Sequence, residues 1–287
     1  MKSMVRFLQR VMKPRQRTVA QSRFLNKAAI DLSDTAIEAS KRETMHLYDH
    51  AARIIAGGLG LRLEDVLSQQ PLDKVIATAR APIRFDIDEK YEAIIKGLYS
   101  EIVRFISQAQ SSLSPQQSDE LFALRAAGRD ILEAVKDTKH LQKNLAHYVL
   151  DPNQEIRREY NRIRVALASV LRKLEQVRKQ GNDSTAVLSL DALKVAMKEY
   201  DHELDARMNT LIREDRISAS MSISLMKDSG YAYDITKNLV RMAEALFSTG
   251  EIRTREAERS ISLDEAEVDE LLQESRVATE SQNNEHS

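Results

Sequence analysis

Three acid-x-x-His pairs stand in this chain: Glu43 with His46, Asp137 with His140, and Glu199 with His202. Three positions apart on a helix, an acid and a histidine project from one face, so each pair can offer two ligands to one metal ion. Chance alone gives about one such pair in a composition this rich in acids, so three is a mild excess. His50 extends the first set on the same side. Solvated helix surface is the competing reading for each pair.

A second constellation carries oxygen ligands. Glu133 and Asp137 form Glu-x-x-x-Asp, and Asn144 lies two turns beyond Asp137 on a similar azimuth. Two carboxylates one turn apart repel unless a cation or a basic neighbour separates them, so the pair reads as metal site or as ordinary surface. Further along, Asp234 and Asn238 share a helix face, and Gly230 sits mid-helix four residues before Asp234. A glycine there costs up to about 1 kcal/mol against alanine. Close helix packing, or access for an ion or partner, would account for it.

Basic residues gather in two places. Arg157, Arg158, Arg162, Arg164, Arg172, Lys173, Arg178 and Lys179 line one helical stretch, offset in part by Glu155, Glu159 and Glu175. Phosphate, an acidic partner or lipid headgroups would suit them, and a solvated face is the default. Residues 1–17 hold six basic residues and no acidic one, with Val5, Leu8, Val11 and Met12 on a common face. That pattern fits a membrane surface, a flexible tail or a transit-like leader.

Composition narrows the chemistry. No cysteine is present among the 287 residues, which excludes disulfides, thiol catalysis and thiolate metal sites. The net charge of -1 argues against bulk affinity for nucleic acid. No run of 18 apolar residues occurs, and neither phosphate-loop, dinucleotide, nucleophile-elbow nor zinc-protease motifs are found. A non-enzymatic protein is expected.

These residues must be positioned by helices. Glycine (8) and proline (5) are too scarce for a β-sandwich or barrel, whereas Ala, Leu, Glu, Lys and Arg abound. A first helix is predicted from an N-cap at Ser33 or Asp34 to about Ala56, burying Ile37, Thr44, Leu47, Tyr48, Ala51 and Ile55. Residues 61–84 read as a short helix and a proline-flanked connection. Ile95, Leu98, Ile102 and Phe105 mark a second long helix over about 86–110. Ser114 before Pro115 opens a third, running to about Leu150. The next, about 153–180, has the cleanest seam: Ile156, Tyr160, Ile163, Leu167, Val170, Leu174 and Val177. Two more follow, to about Arg216 and over about 218–248. Gly57, Gly58, Gly60, Gly181 and Gly250 are read as helix ends.

The expected fold is therefore all-α: two tandem antiparallel three-helix bundles over 24–151 and 152–249, with a single continuous bundle as the alternative. A basic segment (1–23) precedes them. An acidic tail (250–287), with 11 acidic and 4 basic residues, follows and is expected to be partly disordered.

The stretch Ile131-Leu-Glu133-Ala-Val-Lys-Asp137-Thr-Lys-His-Leu141 resembles the PhoU-type helix, with its Glu/Asp-x-x-x-Asp motif in a duplicated three-helix bundle. Aligning Asp137 with Asp234 sets Gly230 opposite Glu133, so the second copy departs from the motif while retaining Asn238. Residues 36–45 and Leu225-Met-Lys-Asp-Ser-Gly-Tyr-Ala-Tyr-Asp234 look like the cytoplasmic C-terminal region of bacterial Na/Pi cotransporters, which carries PhoU-like repeats. The resemblance covers about residues 24–248. It implies regulation linked to phosphate uptake, through contacts with a phosphate transporter or phosphate-signalling proteins, in the cytoplasm at the inner face of the membrane. Self-association is also expected. It further implies bound iron or another divalent metal, held by Glu133, Asp137, Asp234 and Asn238. A carboxylate–histidine metalloprotein and a plain helical scaffold are the other two readings.

Overall fold

The computed structural model describes residues 20–79, 81–109, 113–180 and 184–247, and among them no strand occurs. The protein is all-α. The basic stretch 1–17 and the tail from Gly250, with Gly181 and Gly250 themselves, lie outside the described residues. A 3-10 turn, Lys27–Ala29, leads into α1 (Ser33–Gly58). Two short helices follow, α2 (Leu63–Val66) and α3 (Leu72–Thr78), where the sequence predicted one. Next, α4 (Ile87–Lys90) runs through a π turn (Tyr91–Ile95) into α5 (Lys96–Ala109). The remaining helices are α6 (Pro115–Tyr148), α7 (Gln154–Gln180), α8 (Ser184–Arg213) and α9 (Ala219–Phe247). No helix among the described residues is long and apolar enough to cross a membrane.

Local chemistry sets most of these boundaries. Ser114 Oγ accepts from Gln117 N–H at 3.2 Å while Gln117 Oε1 accepts from Ser114 N–H at 3.1 Å, a capping box with Pro115 at the first helical position. Asn153 Oδ1 accepts from the amides of Glu155 and Ile156 at the start of α7. The start of α1 differs from expectation. Leu32 takes the cap position with no side-chain cap, and Asp34 instead accepts from the Gln117 side-chain amide at 3.0 Å. A contact between distant helices has taken the side chain that would have capped its own.

Glycines divide by role in a way spacing did not show. Gly60 ends α1 at φ 70°, with Leu61 N–H bonded to Ala56 O and Gly60 N–H to Gly57 O. Gly57 and Gly58 are the last two residues of α1, and a Cβ on them would come within 2.5 Å of the Phe85 ring and 2.7 Å of Ile87 and Thr138. Gly128 performs the close packing expected of Gly230: a Cβ there would meet the Tyr99 ring at 2.9 Å. Gly230 is exposed, and a Cβ on it would touch nothing within 4 Å. Gly230→Ala is therefore expected to stabilise the fold by about 0.5–1 kcal/mol, as an upward shift of the urea midpoint. A lower midpoint would mean that the helix needs glycine there for a backbone reason.

The core assembles around one helix pair. The broadest contact is between α6 and α9; α1 and α5 pack with α6, and α7 and α8 with α9. The pair α6/α9 is antiparallel, since Asp130, Asp137, Asn144 and Tyr148 meet Arg241, Asn238, Asp228 and Ser224 in turn. The seam residues of α7 are all buried, as are Ile95, Leu98, Ile102 and Phe105. Of the α1 stripe, Thr44, Leu47, Tyr48, Ala51 and Ile55 are buried and Ile37 is half-buried. The buried apolar side chains of both halves form one continuous cluster.

Candidate functional site

Polar residues run the length of the α6/α9 contact. Arg241 Nη2 donates to Asp130 Oδ1 at 2.9 Å and to Asn238 Oδ1 at 2.7 Å. Asn238 Nδ2 donates to Asp137 Oδ2 at 3.4 Å. Farther along, Asn144 Nδ2 donates to Asp228 Oδ1 at 3.3 Å, and the Tyr160 hydroxyl of α7 donates to Asp228 Oδ2 at 2.6 Å. Tyr160 stacks on Tyr148, ring centroids 4.8 Å apart. The strip ties three helices together through buried polar groups that have partners, the arrangement that fixes register rather than adding raw stability.

Burial raises the pKa of its carboxyls. Burial pushes the Asp137 carboxyl from the ordinary 3.8 to about 6, with Asp234 and Glu133 adding repulsion and Lys136 opposing it. Asp228 is also pushed up to about 6 by burial, against the pull of its bonds from Tyr160 and Asn144. Asp130 is raised by burial despite Arg241.

The four residues assigned to a metal by resemblance are thus near one another, but each is differently engaged. Asp137 receives the Asn238 amide, Glu133 is bonded to Lys136 Nζ at 2.8 Å, and Asp234 is exposed. Among the described residues no three of His, Asp and Glu converge in a way that could hold a metal ion. Their engagement with Lys136, Asn238 and solvent does not fit a carboxylate metal cluster.

The acid-x-x-His pairs differ in their surroundings. His140 is exposed and stacks on Tyr231, and Glu199 and His202 both face solvent on α8. Glu43 and His46 behave differently. The Glu43 carboxylate is fully buried; Oε2 accepts the backbone N–H groups of Arg23 and Phe24, each at 2.8 Å, and Oε1 lies 2.8 Å from His46 Nδ1. His46 Nε2 is 3.1 Å from His50 Nε2. The two rings line a cavity of about 420 Å³ with Arg23, Asp49, Arg53 and Arg178. Burial, then His46, Arg23 and Arg53, lower the His50 pKa.

Much of the basic face of α7 serves the fold. Arg164 is buried and donates Nε to Leu59 O at 2.9 Å and Nη2 to Ala79 O at 3.2 Å, and burial lowers its pKa to about 10. Arg172 donates to Val66 O and Gln70 O, and Arg178 pairs with Asp49. These guanidiniums pin the short helices α2 and α3 and the end of α1 to α7, with Arg164 satisfying carbonyls that α1 leaves open at its C-terminus.

Asp130 and Arg241 do not stand out in the sequence, Tyr160 does so only as a seam residue of α7, and Asp228 only within the stretch 225–234. One signal was available: Asp130, Asp137 and Asn144 follow one another at seven-residue spacing, which sets them on a single face of α6. Compared with models of protein families, with curated proteins and with solved structures, the chain matches none.

Proposed function

We propose that this chain is a PhoU-like helical regulatory module linked to phosphate (Na/Pi) transport, acting through protein contacts at the cytoplasmic face of the membrane and not by catalysis. The pairing of α6 with α9 is the observation that carries the reading. These are the third long helix of each half, and they bear the two aligned acids. The offset that takes Asp137 to Asp234 also takes Asn144 to Arg241, and Asp130 to the residue before Asp228. By that offset the contact Asp130–Arg241 maps onto Lys227–Asn144, one residue from the Asn144–Asp228 bond. A near-reciprocal pairing of the third helices is what a duplicated three-helix unit would give, and it supports the reading of two tandem bundles.

Deleting the gene is expected to change phosphate uptake or the phosphate-starvation response, measured as radiolabelled phosphate accumulation and reporter output. The tagged full chain is expected to retain a phosphate transporter or its sensor kinase in a pull-down. Uptake and signalling identical to the parent strain would overturn the proposal.

A further inference from the structure

We propose that the cavity between α3 and the first half of α7 binds a phosphorylated small molecule, whose phosphoryl group is held by Arg157, Asn161 and Arg164. The inference rests on the side chains of this cavity and is independent of the phosphate-transport reading.

The cavity has a volume of about 600 Å³, within the range of small-molecule sites. Arg157, Asn161 and Arg164 line it from positions four and three residues apart, one face of α7. Arg164 is only 2% exposed, yet its bonds go to groups without net charge: the carbonyls of Leu59, Gly60 and Ala79, and the Asn161 side chain. A buried cation is ordinarily matched by a carboxylate. Among the described residues none contacts this one, and burial alone acts on its pKa, which stays high enough to keep the charge at neutral pH. Of its five N–H groups, one on Nη1 has no acceptor among the described residues.

The two neighbours also keep donors in hand. Asn161 Oδ1 accepts from Arg164 Nη1 at 3.0 Å. A guanidinium only donates, so the amide orientation is fixed and Nδ2 is left with no acceptor among the described residues. Arg157 gives one bond, from Nη1 to Asp151 O at 2.9 Å, and forms no ion pair among the described residues. The other arginines of the lining are engaged, Arg158 by Glu155 at 3.0 Å and Arg162 by Glu159. Asp73, the one acid of the lining, is exposed and pairs with none of them. Three side chains thus hold donors for an anion, and a phosphoryl group offers three acceptor oxygens and close to two negative charges. Leu150, 47% exposed, and Val165 provide an apolar wall for the rest of the molecule. A donor as buried as Arg164 is reached by a group that enters the cavity, which suits a small molecule over a membrane or protein surface.

The test titrates inorganic pyrophosphate into the full chain by calorimetry at low ionic strength. One saturable site is expected. Arg157→Gln, which removes a guanidinium that holds only one carbonyl, should weaken binding roughly tenfold or more. Leu150→Asp sets a negative charge on the exposed wall and should weaken it several-fold. Arg53→Gln, an exposed arginine of the cavity beside His46 and His50, should leave the affinity unchanged, which separates this site from general attraction of anions to basic surface. Succinate, with two carboxylates and no phosphoryl group, should bind more weakly than pyrophosphate. Circular dichroism of each variant verifies that helix content is retained. No saturable pyrophosphate binding by the parent, equal affinity in Arg157→Gln, or succinate binding as tight as pyrophosphate overturns the proposal.

Discussion

Glu43→Ala is expected to destabilise the fold by about 3–5 kcal/mol, a fall in Tm of roughly 10 °C for a chain of this size. The side chain is fully buried and its two oxygens satisfy three donors: the amides of Arg23 and Phe24 and the imidazole of His46. Alanine leaves all three without an acceptor and opens a cavity beside the Phe24–His46 edge contact. The same carboxylate clasps the segment around residue 23 to α1. Trypsin should therefore cut after Arg23 and Lys27 faster in the variant than in the parent. Glu43→Gln should fall between the two, because one amide oxygen still accepts. A Tm for Glu43→Ala within about 2 °C of the parent would show that the buried carboxylate is not what holds this end of the molecule.

Acidification from pH 8 to about 5 is expected to stabilise the protein, against the usual trend for an acid-rich chain. Asp137 and Asp228 bind their protons more tightly when folded, with pKa values raised from 3.8 to about 6. Between those limits the folded state holds more protons than the unfolded chain. Stability therefore falls as pH rises through that window, and the whole penalty is present above about 6. For Asp228, whose side chain is fully buried, the raised value corresponds to about 3 kcal/mol. Asp137 acts in the same direction and by less, being half-buried.

Below about pH 4 the trend reverses, as carboxylates such as Glu155, held below its ordinary range chiefly by its bond from Arg216, become protonated. Asp228→Asn isolates the main contribution. The asparagine oxygen still accepts the Tyr160 hydroxyl, and rotation of the Asn144 amide presents an oxygen to the new NH₂ group. The variant is expected to gain up to about 3 kcal/mol at pH 8 and to lose most of the rise between pH 8 and 5 in urea unfolding. An unchanged pH slope in Asp228→Asn would assign the effect elsewhere.

The helices themselves were legible. Alternation of apolar residues by threes and fours marked the seam of α7, and Ser114 with Pro115 marked the start of α6 because capping is decided within four residues. Where a long-range partner intervened, local reading failed. Asp34 bonds to Gln117 instead of capping α1, and Gly57 and Gly58, at the end of α1, also give room to Phe85, Ile87 and Thr138. The π turn at Tyr91–Ile95 left no trace in the hydrophobic spacing. Gly128 and Gly230 look alike in sequence, yet a Cβ would strike Tyr99 at the first and meet open space at the second.

The candidate sites divide along the same line. Residue types and spacing determined that Glu43, His46 and His50 share one face, as do Asp130, Asp137 and Asn144, since helical geometry fixes neighbours three, four and seven residues apart. Only the tertiary structure decided which of these faces was buried, and against what. It closed Glu43 under the backbone of residues 23 and 24, left Glu199 and His202 in water, and brought Asp228 beneath Tyr160. A helix's own sequence sets the directions of its side chains. The dielectric and the charges that meet them are supplied by segments distant in sequence, and these determine whether an acid is solvated surface, a structural anchor or a proton held up to pH 6.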